Sequence, residues 1–353
     1  EVGSPITQTG ITPGTVTDPM SGGVINPIST YPYPDFKPER TKSYEVGINA
    51  RFLNGRISFD GTFYQSNTYN QTFLSVMSPA TGYSGFYVQA GNVRNRGVEM
   101  TLGYNDTVGK VNYSTHLTYT ANQNKIVEMV HDYRNPIDNS LVNITELTLK
   151  EAGDVYLREG YSMSDVFTTG ILQRGRDGKL VEEGNGYQVD RSQRIRLGSA
   201  DPDFTMGWRH DINYKNISLG LMITGRFGGI VTSQTQAFMD AFGVSKVSAE
   251  ARDNGGVMLD GHRYDAERYY NTVGGQGLMS YYTYDATNVR LQELSLTYSL
   301  PKKWLGDVFN NATISFVGRN LFMFYRKAPF DPDMNGSTGT YNRSDFFMKL
   351  LHR

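Results

Sequence analysis

Residues 43–52 alternate with period two: Tyr44, Val46, Ile48, Ala50 and Phe52 are apolar or aromatic, whereas Ser43, Glu45, Gly47, Asn49 and Arg51 are polar or small. Successive side chains of a strand point to opposite faces, so this segment has one apolar wall and one wet wall. Asn54-Gly55 follows, a pair suited to a type I′ turn, which needs positive φ at both central residues. The return segment alternates again, with Ile57, Phe59 and Phe63 opposed to Arg56, Ser58, Asp60 and Thr62. The pattern recurs over 98–104, 111–119, 204–214, 217–223, 294–300 and 312–316. Hairpins of this kind repeated around a closed sheet give a barrel that is apolar outside and polar inside. The predicted fold is therefore all-β, a transmembrane antiparallel β-barrel with about nine or ten spanning strands in this chain.

Strand length supports a membrane wall over a soluble sheet with one wet face, which alternates in the same way. Ten residues at roughly 3.3 Å, tilted by roughly 45°, rise about 23 Å, close to the roughly 25 Å apolar band of such barrels. A soluble sandwich strand is more often about half as long. The chain has 353 residues and a formal net charge of −1, which gives no reason to expect nucleic acid as a partner. No run of 18 apolar residues offers a transmembrane helix. Tyrosine is abundant, with 24 Tyr and 18 Phe against 2 Trp; its ring suits lipid while its hydroxyl reaches headgroups or lumen. With no cysteine, disulfides and thiolate metal sites are excluded. Glu1 opens no signal peptide, so the segment is expected to begin after processing or within a longer protein.

The connections alternate in length. Asn54-Gly55, residues 106–110, Lys215-Asn216 and residues 301–311 are short, whereas segments near 66–92, 129–200, 228–286 and 325–340 are long and rich in Gly, Tyr, Asn and Asp. Outer-membrane barrels have short periplasmic turns and long extracellular loops, so the long segments are expected outside the cell. Residues 1–36, with six prolines, read as the tail of another such loop, and 37–353 as strands with their loops. Nothing in the sequence forces closure, and residues 346–353 do not read as a terminal strand. A barrel needs no exposed edges, so a fragment of a larger barrel is expected.

Four stretches, in order, carry a family resemblance. They are Pro38-Glu39-Arg40-Thr41-Lys42-Ser43-Tyr44-Glu45-Val46-Gly47, Gly91-Asn92-Val93-Arg94-Asn95-Arg96-Gly97-Val98-Glu99, the run Val289-Arg290-Leu291 through Tyr298-Ser299-Leu300-Pro301, and Gly318-Arg319-Asn320-Leu321-Phe322 followed by Phe330-Asp331-Pro332-Asp333. The chain resembles SusC/RagA-type TonB-dependent transporters of Bacteroidetes over roughly residues 37–335. The resemblance implies the C-terminal part of a 22-stranded barrel in the bacterial outer membrane. The N-terminal plug and early strands then lie outside this chain. It further implies active import of a nutrient oligomer, an oligosaccharide or an oligopeptide, captured with a SusD-like surface lipoprotein lid. TonB–ExbB–ExbD would act through the plug, outer-membrane lipid would surround the wall, and the assembly would be a dimer of transporter–lipoprotein pairs. No cofactor is implied. Alternatives are a passive porin or structural barrel without a plug, and a soluble extracellular β-sheet binding protein.

Enzymatic function finds no support in the residues. The five histidines, His116, His131, His210, His262 and His352, are scattered, and no G-x-S-x-G elbow occurs. Asp331-Pro332-Asp333-Met334-Asn335-Gly336 matches the first half of a calcium loop, with oxygen ligands at Asp331, Asp333 and Asn335, but Asn342 stands where a bidentate Glu belongs. A structural turn is the expectation there. By parity Glu45, Arg51, Arg56, Asp60, Glu99, Arg209, Asp211 and Arg319 face the lumen, pairing across strands or meeting the plug. Candidate substrate contacts are loop residues: Tyr156, Tyr161, Tyr187, Tyr264, Tyr269, Tyr270, Tyr281, Tyr282 and Tyr284 as flat rings, with Arg191, Arg194, Arg196, Asp260 and Arg263 for hydroxyls or termini. Ordering the loops or contacting the lid is the competing role for each.

Overall fold

The computed structural model describes residues 16–17, 24–25, 30–31, 36–76, 85–134, 140–149, 156–305, 309–333 and 344–345. The proline-rich segment 1–36 lies almost wholly outside them, as do Asn335 and residues 346–353. Eight long strands form one sheet: β1 (Arg40–Phe52), β2 (Ile57–Tyr69), β3 (Asn92–Val108), β4 (Val111–Glu128), β5 (Phe204–Tyr214), β6 (Ile217–Phe227), β7 (Asn288–Ser299) and β8 (Thr313–Arg326). Each lies beside its neighbour in sequence, so the sheet is a meander running from β8 back to β1. The expected nine or ten spanning strands become eight in this sheet among the described residues. The 11-residue segment Val189–Ser199, inside the expected 129–200 connection, pairs with Asp165–Leu172 in a separate ribbon. That segment carries Arg191, Arg194 and Arg196 and has no continuous apolar face to offer lipid.

The register turns the period-two pattern into rows. Tyr113, Ile212, Leu219, Leu296 and Phe316 are successive partners from β4 to β8, as are Leu117, Trp208, Ile223, Leu291 and Phe322. The opposite face carries Asn112, Asn213, Ser218, Thr297 and Ser315 in one row, and His116, Arg209, Met222, Glu293 and Arg319 in another. Aromatic rings mark both ends of the apolar face. Tyr214 and Tyr298 sit near the short turns, while Phe204 stacks on Phe227 at 4.6 Å and lies 5.3 Å from Tyr119 at the far end. The ten-residue step from Phe204 to Tyr214 rises about 23 Å when tilted by roughly 45°, the height of an apolar band between two girdles.

One apolar row holds polar groups, Thr115 and His210, beside Leu221 and Leu294. They are satisfied locally: His210 Nδ1 lies 2.8 Å from the Tyr113 hydroxyl, and Trp208 Nε1 donates to Thr115 Oγ1 at 3.0 Å. The Trp208 ring covers His210 at 4.3 Å. A polar group facing hydrocarbon is tolerated when its partners come from the wall itself.

Parity shifts along β7 at Gln292, and a further register break against β8, between Val289 and Arg290, leaves Phe324 as an extra residue there. The break between Met222 and Ile223 on the β6 side leaves Gln292 as an extra residue in β7, whereas on the β8 side the break between Leu291 and Glu293 sets two residues, Asn320 and Leu321, against Gln292. Facing it, Asn320 in β8 takes a left-handed φ of 51°. The bulge moves the apolar positions of β7 from even (Leu294, Leu296, Tyr298) to odd (Val289, Leu291) and keeps both sets on one face, because a one-residue slip exchanges faces.

The short turns differ in detail from expectation. Leu53 and Asn54, with φ of 53° and 56°, are the central residues of the first, closed by Gly55 N donating to Phe52 O at 3.1 Å. The turn thus sits one residue earlier than Asn54-Gly55, with Gly55 taking the next left-handed position at 85°. The second shrinks to Gly109-Lys110, because β3 runs on to Val108. Lys215 takes a φ of 51° in the third.

The chain divides into two compact units whose boundaries cross β1 to β4. The first unit holds the ribbon Gln71–Val76 with Gly85–Ala90 and a small core of Phe73, Val88, Val93, Ile126, Met129, Leu147 and Leu157. Gln89 fastens its entry, with Oε1 accepting from Lys37 N at 2.9 Å and Nε2 donating to Lys37 O at 2.7 Å. The second unit holds most of the sheet and the segments 164–203, 228–287 and 327–333. Three helices interrupt the 228–287 connection, where a long loop near 228–286 is expected from the sequence: α1 (Gln234–Ala241), α2 (Lys246–Asp253) and α3 (Ala266–Val273). Each has an N-cap side chain, from Ser233, Ser245 and Asp265, that accepts a first-turn N–H at 2.9–3.0 Å.

Candidate functional site: the wet wall and the loop core

Along the wet face several charges are paired within the wall. Arg209 donates to both oxygens of Asp211 at 2.8 and 3.0 Å along β5. Arg319 meets Glu293 at 3.0 Å across β7 and β8, and Asn49 donates to Asp60 at 2.8 Å across β1 and β2. These exposed pairs contribute at most about 1 kcal/mol each; their effect is to neutralise those charges within the wall. Gly103 lets the Ser58 hydroxyl and the His116 ring approach the backbone, because a Cβ there would meet the imidazole at 3.0 Å. His116 is therefore a fitted wall residue. At the short-turn end a polar recess of ≈470 Å³ opens between Asn54, Arg56, Asn105, Asp106, Asn112 and Asn213.

The loop tyrosines assemble differently from an open stacking surface. Tyr187, Tyr264, Tyr269, Tyr270 and Tyr282 are only 3–8% exposed and form one core with Leu172, Leu180, Val273 and Leu278. Helix α3 supplies Tyr269 and Tyr270, and its Thr272 Oγ1 accepts from Tyr187 N at 3.0 Å. The Tyr187 ring meets the edge of Tyr264 at 5.6 Å and carries the Arg268 guanidinium 5.4 Å from its centre. The Tyr264 hydroxyl accepts from Leu180 N at 3.1 Å. Burial raises the phenol pKa of Tyr187, Tyr269, Tyr270 and Tyr282 above the ordinary value, and the Asp240 carboxylate pushes Tyr282 further. These rings order the loops, since each face is covered by another side chain. Tyr284 packs edge-on to Phe330 at 5.6 Å.

Tyr281, Arg191 and Arg194 are among the expected contacts that reach the surface. Tyr281 is 36% exposed, with its hydroxyl accepting from Leu172 N at 3.2 Å. Arg191 is exposed and donates to neutral acceptors, the Thr169 carbonyl and Gln276, at 3.3–3.4 Å. Arg194 is exposed on the same ribbon, opposite Thr169. Arg196 is held by both oxygens of Asp165 at 2.8 and 2.9 Å. Asp260 pairs with Arg174 at 2.6 Å, and Arg263 donates to the Asn254 carbonyl. In the first unit, Tyr156 is buried with its hydroxyl on Glu146, and half-buried Tyr161 lies under Arg158.

The calcium-like turn faces a cation of the protein's own. Arg290, 6% exposed on β7, reaches Asp331 at 2.7 Å and Asp333 at 2.6 Å. Arg226 on β6 lies 3.6 Å from Asp333. Pro332 is fully buried between them, and Ala328 and Phe330 pack on Val231 and Ala286. The sequence reading passed over Arg226 and Arg290 as functional positions. Their signal was an arginine on a wet row near a strand end, which needs a partner, and Asp-Pro-Asp downstream supplies one.

The sequence model of the family described as TonB dependent receptor-like, beta-barrel, matches residues 7–224. The chain belongs to this family. It is similar to two TonB-dependent receptors of Formosa agariphila, P3 and P26. Each is 25% identical, over 347 and 321 residues, covering 94% and 85% of this chain but 34% and 32% of those receptors. The chain thus spans about a third of the length of these relatives. The solved RagAB peptide transporter superposes with a TM-score of 0.62 at 17% identity, over 88% of this chain and 34% of that one. The RagAB peptide importer in its open-open state gives 0.58 at 19%, over 89% and 34%. This TonB-dependent receptor chain therefore has the outer-membrane barrel fold expected from its alternation, and its apolar rows face lipid. A soluble β-sheet protein is ruled out by the same membership.

Proposed function

We propose that the receptor containing this chain imports a nutrient oligomer, an oligosaccharide or oligopeptide, across the outer membrane with energy delivered through TonB. The observation that carries the reading is the wall itself: five-residue rows, apolar on one face and polar on the other, in a family of TonB-dependent receptors. The strands β1 and β8 extend the sheet into the remaining barrel, since unpaired backbone in lipid costs several kcal/mol per group. The long segments lie outside the cell, where a SusD-like surface lipoprotein closes over them, and the transporter–lipoprotein pair dimerises. Tyr281, Arg191 and Arg194 are exposed loop groups that could meet substrate: one ring for apolar or sugar faces, two guanidinium groups for carboxylates or hydroxyls. No side chain in this scheme performs bond chemistry.

The test is uptake of fluorescent oligosaccharide and oligopeptide mixtures by cells with and without the full-length receptor. Receptor-dependent accumulation of one class, abolished by a protonophore, is the expected outcome. Uptake that persists after the proton gradient collapses would mean a passive pore and would overturn the reading.

A further inference from the structure

The lipid-facing wall is polar over β3 to β5. In the row Thr115, His210, Leu221, Leu294 and Gly318, the members on β4 and β5 carry hydrogen-bonding groups and those on β6 to β8 carry none. Tyr113 and Trp208 flank His210, and on β3 the Tyr104 ring lies 6.3 Å from that of Tyr113. Tyr104 and Trp208 are both well exposed on this face.

The row holds one donor to spare. His210 Nδ1 is engaged by the Tyr113 hydroxyl at 2.8 Å, and Nε2 has no hydrogen-bond partner among the described residues. With Nδ1 accepting, Nε2 carries the ring proton and needs an acceptor. Four residues separate His210 from Tyr214, about 9 Å of rise at roughly 45° of tilt. Water is scarce at that depth, and the ester oxygens of a lipid are the acceptors at hand.

Two residues from Tyr104, toward the short turn, stands a charge of each sign. Asp106 Oδ2 accepts from the Tyr104 hydroxyl at 2.9 Å and Oδ1 from Thr107 N at 2.8 Å, while Arg56 Nε lies 3.5 Å from Oδ1. A carboxylate offers about four acceptor positions, so Asp106 has one left for an ammonium group. Arg56 is exposed, with donors left for a phosphate. Both residues, with Tyr113, line the ≈470 Å³ polar recess at this end, which leaves room for a headgroup.

The rest of the receptor does not reach this face. β3, β4 and β5 each have both neighbours within the sheet, so further strands join at β1 and β8. Anything held in the lumen meets the opposite, wet face. We propose that Asp106, Arg56, Tyr104, Tyr113 and His210 bind one zwitterionic, amine-bearing glycerophospholipid on the outside of the wall. Asp106 accepts from its ammonium group, Arg56 donates to its phosphate and His210 Nε2 donates to an ester carbonyl. The acyl chains run up the wall over Leu102 and Trp208. Short connections of such barrels face the periplasm, so the lipid belongs to the periplasmic leaflet, and its binding does not depend on what the receptor imports.

The experiment uses the full-length receptor, purified from its own outer membranes, stripped of lipid in detergent and loaded with phosphatidylethanolamine or phosphatidylglycerol before native mass spectrometry. Wild type is expected to hold one phosphatidylethanolamine and at least tenfold less phosphatidylglycerol. D106N and Y113F/H210L are each expected to lose at least tenfold of the retained phosphatidylethanolamine at unchanged receptor yield. Leucine at 210 continues the row of Leu221 and Leu294, so it suits the wall. L296V, elsewhere on the same face, should retain the lipid. A phosphatidylethanolamine with a photoreactive acyl chain is expected to label residues 98–108 and 204–214 of the unaltered receptor, which decides the matter even if a variant fails to assemble. Equal retention of the two lipids overturns the role given to the amine and Asp106. Retention by both variants, or label spread evenly over β1 to β8, overturns the site. Crosslinks from positions 104 or 208 to a second receptor copy would make this face a receptor–receptor contact and overturn it likewise.

Discussion

His131, just past the end of β4, hydrogen-bonds Glu159 at 2.8 Å. That bond holds its pKa above the ordinary histidine value, and the bond from His131 in turn holds Glu159 below the ordinary carboxylate range. A raised histidine pKa contributes stability that is fully present below about pH 6.5 and lost as pH rises through the folded value. A depressed carboxylate pKa contributes stability lost as pH falls through its own folded value, so the pair is intact between the two. Histidine C2 hydrogen–deuterium exchange, read peptide by peptide, should show His131 titrating above the ordinary histidine value of about 6.5 and moving down toward it in E159Q. An unchanged midpoint in E159Q would show that Glu159 does not set it. At this scale the sequence revealed little. It displayed His131 and Glu159 as isolated letters 28 residues apart, and it displayed nine loop tyrosines without their neighbours. Burial of Tyr187 or Tyr282 depends on where α3 lies, and only its cap, Asp265 ahead of Ala266-Glu267-Arg268, was written locally.

Strands were the most legible elements, because period two needs no tertiary knowledge and the rows from β4 to β8 follow it, apart from Thr115 and His210 on the apolar face. The bulge was not legible: a single extra Gln292 looks like a polar residue in a strand, and its effect on facing appears only when β6 and β8 supply the register. The long segments were recognisable as connections, yet their helices were missed because tyrosine and glycine content masks an eight-residue helical period. Depth along one strand gives a sharper test of the wall than facing alone. Ile223 lies six residues above Ile217 in β6, about 14 Å higher at roughly 45° of tilt. I223R should cost roughly 2–4 kcal/mol and I217R about 0–1, whereas T224R, turned to the wet face, should assemble like wild type. Heat-modifiable electrophoretic mobility of the full receptor reads the assembled fraction. Equal assembly of I223R and T224R would contradict the facing of β6.

Across the molecule, the segment after β8 binds the sheet to its loops. Arg290 and Arg226 reach from β7 and β6 to Asp331 and Asp333, while Lys327 meets Asp285 at 2.6 Å. D331N/D333N would leave Arg290 buried without its carboxylates, at a cost of about 1–3 kcal/mol. Hydrogen exchange should then quicken over 282–290 and 327–333 and stay unchanged at the β5–β6 turn. Unaltered exchange in the first two segments would mean the clamp contributes no rigidity. Membership of the receptor family was readable from four motifs in order, and two of them, Val289-Arg290-Leu291 and Phe330-Asp331-Pro332-Asp333, prove to be the halves of this clamp.

The bulge at Gln292 and Asn320 gives the wall something like a reading frame. Elsewhere in β5 to β8, inserting or deleting one residue would turn the remainder of that strand inside out, presenting arginine and glutamate to hydrocarbon and leucine to water. Two-residue changes would preserve facing, and changes in the long connections would leave it untouched. Descendants of this barrel are therefore free to lengthen or rebuild their loops residue by residue, while their strands can change length only in pairs, or where a bulge already absorbs the odd one.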